Sequence, residues 1–265
     1  MRRVLRPLQW VWLLVVVLLV WELLTRTVTR SLFVPPVSEI LRTFGDSWFA
    51  ATPSTLFLSE EFRTNVLPSI GRIAAGYAIA SVAGICGGIL LGVWRPAGAF
   101  FNPLIRLGMS VPVTALLPLA IVVFGITNSM NVFLIALGCL WPILINAYDG
   151  ARGIDGTMTL TARSMQLSRR RYFLNVLLPG ASPAIVAGMR VSVGTAMVLM
   201  VVSELYAATS GLGYYLTQQQ RLFRFPQLWS AILLIALIGI LANAAFAALE
   251  RSALRWHHAA RGESR

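Results

Sequence analysis

Three charged side chains, Arg72, Arg190 and Glu204, stand in or beside long apolar runs of the 265-residue chain. An ionised group among apolar neighbours is expensive, so such residues are paired, turned toward water, or placed on a solute path. Nothing else in the sequence assembles a reactive centre. No GxxxxGK[ST] loop exists to cradle a nucleotide. Cys86 and Cys139 sit singly in apolar stretches, and His257 and His258 follow one another in a basic tail, so neither pair has metal-ligand spacing. No paired carboxylates and no Ser–His–Asp set suggest themselves. Arg190 and Glu204 are 14 residues apart. On one helix that puts them within about 40° of one face but roughly 21 Å apart along the axis, too far to pair. Both arginines read as structural anchors at the inner membrane interface, with Arg190 snorkelling. For Glu204 three roles stay open: gating, pairing with another subunit, or a structural hydrogen bond.

The composition dictates what must hold these residues. Hydrophobic residues make up 57% of the chain and charged residues 12%, against about 25% charged in a soluble domain. A soluble enzyme domain on a membrane anchor is excluded, because too little polar chain remains to build one. At roughly 20 residues per span, the chain supplies six membrane helices. The net charge of +12 comes entirely from arginine, since no lysine occurs. In so apolar a chain this excess fits loops on the cytoplasmic side rather than a nucleic-acid surface.

The apolar runs predict spans at Leu8–Leu24, Val66–Trp94, about Ala99–Gly125, Asn131–Ala147, Pro183–Ala208 and Leu228–Leu249. The organisation is then a cytoplasmic N-terminus (1–7), a first span (8–24), an external segment (25–65), a five-span core (66–250) and a basic cytoplasmic tail (251–265). The first run lacks a small-x-small cleavage pattern and reads as an uncleaved span. Pro35-Pro36 blocks a helix. Ser38 then caps a short interfacial one with Ile40, Leu41, Phe44 and Trp48 on its apolar side. Gly84 and Gly88 in the second span form a GxxxG pair that suits close helix packing. Pro103, Pro112 and Pro118 interrupt the third, and irregular backbone at membrane depth is tolerated inside protein or against a water-filled cavity. Met109–Pro118 is thus either a path-lining segment or a kinked helix. Met109, Pro112, Pro118, Met197 and Glu204 are the candidates for the pathway or its gate. With the N-terminus inside, fourteen arginines fall on inner segments and six on outer ones, so both termini are expected in the cytoplasm.

The longest inward polar stretch is 148–182. Asp155 can cap a helix running to about Met165; Ser168 can cap another toward Leu178, which Pro179 stops. Leu160 and Met165 give the first helix apolar contact surface. Two readings follow from composition: the helix docks on a partner surface, or it lies on lipid with its arginines against phosphates.

At this loop the sequence resembles the permease subunits of ATP-binding-cassette importers, specifically the nitrate/sulfonate/taurine group. That family carries Glu-Ala-Ala, three residues, Gly, nine residues, then Ile-x-Leu-Pro. Here the register falls on Leu160-Thr161-Ala162, Gln166 and Val176-Leu177-Leu178-Pro179. Ala162, Leu178 and Pro179 match and Val176 is conservative, whereas Leu160, Thr161 and Gln166 depart. The departures put a charge contact with the partner and the turn at Gln166 in question. At a position where glycine takes a left-handed conformation, Gln would cost on the order of 1 kcal/mol. SIGRIAAGYAIASVAGICGGILLG, SVPVTALLPLAIVVFGI, WPILINAYDG, LPGASPAIVAGMRVSVGTA and VVSELYAATSGLGYYL also look like family segments, in the family's order.

The resemblance implies an all-α integral membrane fold, a six-helix bundle like that of type I importer permeases. It implies a bacterial cell (inner or plasma) membrane, a second permease copy, two separate ATPase subunits carrying ATP and Mg, and an extracytoplasmic substrate-binding protein. The chain itself would hold no cofactor and catalyse nothing. Leu160, Thr161, Ala162, Arg163, Met165, Gln166, Leu167, Ser168 and Pro179 would form the ATPase-docking loop. Gly211, Gly213, Gln219 and Arg221 would lie where the binding protein docks. The solute would be a small anion of the nitrate, sulfonate or taurine kind, or a related small molecule such as a vitamin precursor. The competing class is a stand-alone ion-coupled secondary transporter, which predicts inverted internal repeats; none is evident.

Overall fold

The structure is a computed structural model describing residues 2–29, 32–49 and 57–254. Residues 255–265, with His257 and His258, lie outside the described residues, as do parts of the external segment. The described chain is helical, with no strand. In order, the helices are α1 (Arg2–Leu24), α2 (Val37–Trp48), α3 (Leu67–Val93), α4 (Arg95–Ser110), α5 (Leu117–Phe124), α6 (Asn128–Arg152), α7 (Gly156–Ser164), α8 (Arg169–Tyr172), α9 (Leu178–Tyr206), α10 (Leu212–Arg221) and α11 (Phe225–Ala253). Among the described residues, four helical stretches are long and apolar enough to cross a membrane: Phe62–Val93, Asn128–Arg152, Arg169–Tyr206 and Phe225–Ala253. A fifth is the bent pair Arg95–Ser110 and Val113–Phe124. The apolar run Leu8–Leu24 lies within α1.

The chain divides into two compact units. One comprises residues up to Pro68 together with Ser210–Leu237, the other Ser69–Thr209 together with the residues from Ile238 onward.

In the larger unit, α3 meets α6 along a seam of small residues. Ser69, Arg72, Gly76, Ala80, Gly84, Gly88 and Gly92 are its buried face, a repeat of three or four that keeps one side of a helix. A methyl added at Gly84 would stand 2.9 Å from Ile143, and one at Gly88 would stand 2.5 Å from the carbonyl oxygen of Leu144. Backbones this close exclude any side chain there, which is what the GxxxG pair predicts. The partner α6 also runs along α9. Gly138 admits Leu199, and Gly188 faces the Pro142 carbonyl. Ile89, Ala147, Leu177, Ala181 and Ile185 close a core at one end of these helices. Leu117, Ala120, Met130, Leu134 and Ala207 form another.

The third apolar stretch is two helices meeting at 82°. Of its three prolines only Pro112 sits at the break, where the chain is extended. Pro103 is tolerated inside α4, and Pro118 occupies the first turn of α5, where its missing N–H goes unneeded. Pro179 likewise does not stop a helix. Arg169–Tyr206 is one continuous 38-residue helix, with Pro179 in the first turn of α9 after a π-turn over Phe173–Leu177. The wider turn accommodates the chain on either side of the missing donor.

In the smaller unit, α2 begins directly after Pro35-Pro36. Its cap is Pro36 rather than Ser38. Ser38 instead donates its backbone N–H and hydroxyl to the Glu22 carboxylate, at 3.1 and 2.8 Å. Ile40 and Trp48 are buried as expected, whereas Leu41 faces outward. Trp229 donates to the Phe33 carbonyl, Trp21 donates to that of Pro35, and the two indoles meet edge to face at 5.1 Å.

Candidate functional site

The loop between α6 and α9 is built from local rules. Asp155 accepts from the Thr157 N–H at 2.9 Å and starts α7. Ser168 accepts from the Arg171 N–H at 3.4 Å and starts α8. Both caps are those the side-chain types predict. Between them α7 ends in a paired hydrogen-bond motif: the Leu167 N–H donates to Ala162 O at 3.1 Å and the Gln166 N–H to Arg163 O at 2.9 Å. This is the Schellman arrangement, and it places Gln166 at φ +51°. The left-handed turn that favours glycine is therefore retained with a glutamine in it.

Around α7 only Ala162 is buried; Leu160 and Met165 are each 67% exposed. Thr161, Arg163, Gln166 and Ser168 are exposed, and Leu167 and Pro179 are half-buried. Inward contact comes from Ala162 and from Thr159, whose hydroxyl lies 3.3 Å from that of Tyr172. A rigid helix thus presents Met158, Leu160 and Met165 to its surroundings.

The pathway candidates separate. Met109 and Pro112 line a largely apolar cavity of about 440 Å³ with Gly138, Trp141, Thr195 and Leu199. It opens where α4 breaks and reaches α6 and α9. Pro118 is exposed and Met197 half-buried elsewhere.

Glu204 is buried in an ion pair. Arg72 Nη1 lies 2.6 Å from Glu204 Oε1. The Ser69 hydroxyl is 2.9 and 2.8 Å from the two carboxylate oxygens. Arg72 also donates from Nε and Nη2 to Asn128 Oδ1, at 2.9 and 2.6 Å. Both charges are therefore neutralised within the chain. The expectation that Arg72 anchors the interface beside the loop is not met. It stands five residues into α3, about 30 Å along the helix from Gly92, and Gly92 is the residue that abuts Tyr148 and Ala151 near the loop. Arg190 pairs with Glu250 at 3.3 Å.

In the smaller unit, Gly211, Gly213 and Gln219 are covered by the chain itself and Arg221 is exposed. Gly211 has φ +120° and donates its N–H to Asn65 Oδ1 at 3.2 Å, so its conformation is one that other residues rarely adopt. Tyr215 beside it packs on Trp48 at 5.1 Å. Burial, reinforced by the charge of Glu61, pushes its phenol up to about 12. Sequence reasoning missed Ser69 and Asn128. Ser69 shares a helical face with Arg72 and was visible there; Asn128, 56 residues away, carried no signal.

A family model described as the binding-protein-dependent transport system inner membrane component matches residues 84–255. The chain is 30% identical over 249 residues to a putative aliphatic sulfonates transport permease protein, SsuC, of Bacillus subtilis (strain 168), covering 93% of this chain and 87% of the relative. It is 36% identical over 205 residues to the SsuC of Escherichia coli (strain K12), covering 77% and 78%. It is 30% identical over 203 residues to the nitrate import permease protein NrtB of Synechococcus elongatus, covering 75% and 71%. Among solved structures, a chain of the inward-facing MetNI methionine ABC transporter is similar with a TM-score of 0.62 at 18% identity. That match covers 77% of this chain and 99% of the other, a likeness of fold.

Proposed function

Since the chain belongs to the family of inner membrane components of binding-protein-dependent transport systems, we propose that it forms the membrane path of an ATP-driven importer. In this reading two copies enclose the path, two separate ATPase subunits bind the α6–α9 loops, and a substrate-binding protein delivers the solute from outside. The solute is a small anion of the nitrate, sulfonate or taurine class. Both termini and the loop face the cytoplasm, as the arginine distribution suggests. ATP and Mg are held by the partner ATPases.

The observation that carries this reading is the construction of α7. The helix is capped at both ends, seated through Ala162, and otherwise exposed with apolar side chains outward. A helix so held moves as a body when a docked partner moves. Its motion passes into the continuous Arg169–Tyr206 helix, which lines the cavity at Thr195 and Leu199. That cavity is the proposed path, and Met109 and Pro112 at the break are its movable wall. Arg221, exposed at the end of α10, is proposed to face the binding protein.

The test is co-expression with a candidate ATPase, affinity capture and transport in proteoliposomes. M158E and M165E, which alter exposed side chains only, are expected to abolish capture and ATP-dependent uptake while the chain stays folded. Unchanged capture and uptake would remove the docking role. Uptake by this chain alone under an ion gradient would support the secondary-transporter reading instead.

A further inference from the structure

A cavity of about 880 Å³ lies between the end of α3 and the loop, and Arg95, Arg152, Arg163 and Arg169 all line it. The four come from four elements: Arg95 opens α4, Arg152 closes α6, Arg163 lies in α7 and Arg169 opens α8. Among the described residues, no carboxylate lines the cavity. The ion pairs among the described residues leave all four out. The nearby Asp155 is engaged in capping α7. Four guanidinium groups around one cleft without a counter-charge repel one another, and an anion in their midst relieves that repulsion.

The cleft has the features of a phosphate site. Guanidinium groups present planar forks that match phosphate oxygens. The start of α4 adds its positive end, and its cap position, Trp94, supplies no side-chain acceptor to the first amides. Thr159 and Tyr172 line the same cavity. Arg152 is held in place, with Nη1 donating to the Tyr148 hydroxyl and its guanidinium 5.4 Å from that ring. Val93, Ile154 and Phe173 supply apolar wall beside the arginines. The exposed Trp94 next to the cleft is the residue type that marks the headgroup level of a bilayer. A soluble phosphate has no use for the apolar wall, whereas a lipid does. Basic pockets between membrane helices near one interface are suited to anionic headgroups.

We propose that this cleft binds the phosphate of an anionic phospholipid headgroup, with the apolar wall meeting the glycerol and upper acyl carbons. Occupancy ties the loop to the end of α3 and holds α7 in its docked attitude. The leaflet that supplies the lipid rests on the orientation proposed above. Binding itself does not, so it is measured on this chain without an ATPase.

The experiment is native mass spectrometry of the full chain in detergent, titrated with phosphatidylglycerol or phosphatidylcholine. Retention of one phosphatidylglycerol per chain is expected, with phosphatidylcholine lost. R95Q/R169Q is expected to weaken retention about thirtyfold. R106Q, at an exposed arginine bonded to Asn102 outside the cleft, is expected to leave it unchanged. Should the double variant lose its helical signal, R95Q and R169Q are measured singly, each expected to weaken retention about fivefold. Equal retention by wild type and the cleft variants would overturn the proposal. So would inorganic phosphate alone displacing the lipid at equal concentration, which would mark a site for a soluble anion.

Discussion

Arg72 Nη1 and Glu204 Oε1 lie 2.6 Å apart although 132 residues separate them in the chain, and the two side chains are 5% and 0% exposed. The pair joins the beginning of α3 to the end of α9 inside the larger unit. Removing one partner leaves a buried, uncompensated charge, whereas replacing both by apolar groups removes the problem. R72A is expected to cost about 3–5 kcal/mol, and R72M/E204L less than R72A alone. Thermal unfolding in detergent of R72M, E204L and R72M/E204L reads the coupling. Simple additivity of the two losses would contradict an energetic link.

Gln166 is held at φ +51° by the Schellman pair that ends α7. Glycine adopts that conformation without the steric conflict of a Cβ. Q166G is expected to stabilise the loop locally by about 1 kcal/mol, and Q166V to weaken it. Amide hydrogen exchange over Gly156–Leu167 measures both, and slower exchange in Q166G is the expected outcome.

The α3–α6 seam predicts a sharp contrast between glycines of one helix. At Gly88 an added methyl meets backbone at 2.5 Å, while at Gly71 nothing lies within 4 Å. G88A is expected to cost several kcal/mol, in the range of core overpacking or more. G71A is expected to be neutral or to gain up to about 1 kcal/mol from helix propensity. Paired thermal melts decide, and equal effects at the two sites would contradict the close backbone approach.

Thr195 lines the cavity at the α4 break, whereas Val122 is 82% exposed on an apolar helix. If the cavity is the solute path, T195C is reached by a water-soluble maleimide in vesicles and V122C is shielded by lipid. Faster labelling of T195C by about tenfold or more is expected from the dearth of thiolate-accessible water in hydrocarbon. Equal labelling would count against the cavity as a path.

Much of the loop was legible because its signals are local. Asp155 and Ser168 cap helices through bonds that reach two or three residues, which residue type and spacing reveal. The Gly84–Gly88 seam was legible for the same reason, as small residues on one face. Proline was legible only as a disturbance. Pro112 breaks the backbone, while Pro118 and Pro179 sit in first turns, and the difference depends on where the preceding helix or π-turn ends. The arginine-derived topology by itself puts Arg72 near the outer end of its span, away from the loop; what the sequence hides is its partners, since Asn128 and Glu204 are brought to it by α6 and α9 and no spacing rule reaches that far. Ser38 has the residue type of a helix cap, but the Glu22 carboxylate outcompetes the backbone for it.

The uninterrupted Arg169–Tyr206 helix spans 38 residues, about 57 Å at the usual rise per residue. The apolar thickness of a bilayer is about 30 Å, so this rod is nearly twice as long as that layer is thick. A tilt of about 10° about one end would sweep the other sideways by about 10 Å, by simple trigonometry on that length. Its π-turn at Phe173–Leu177 sits near the base, where a small change of winding has the longest arm to act through.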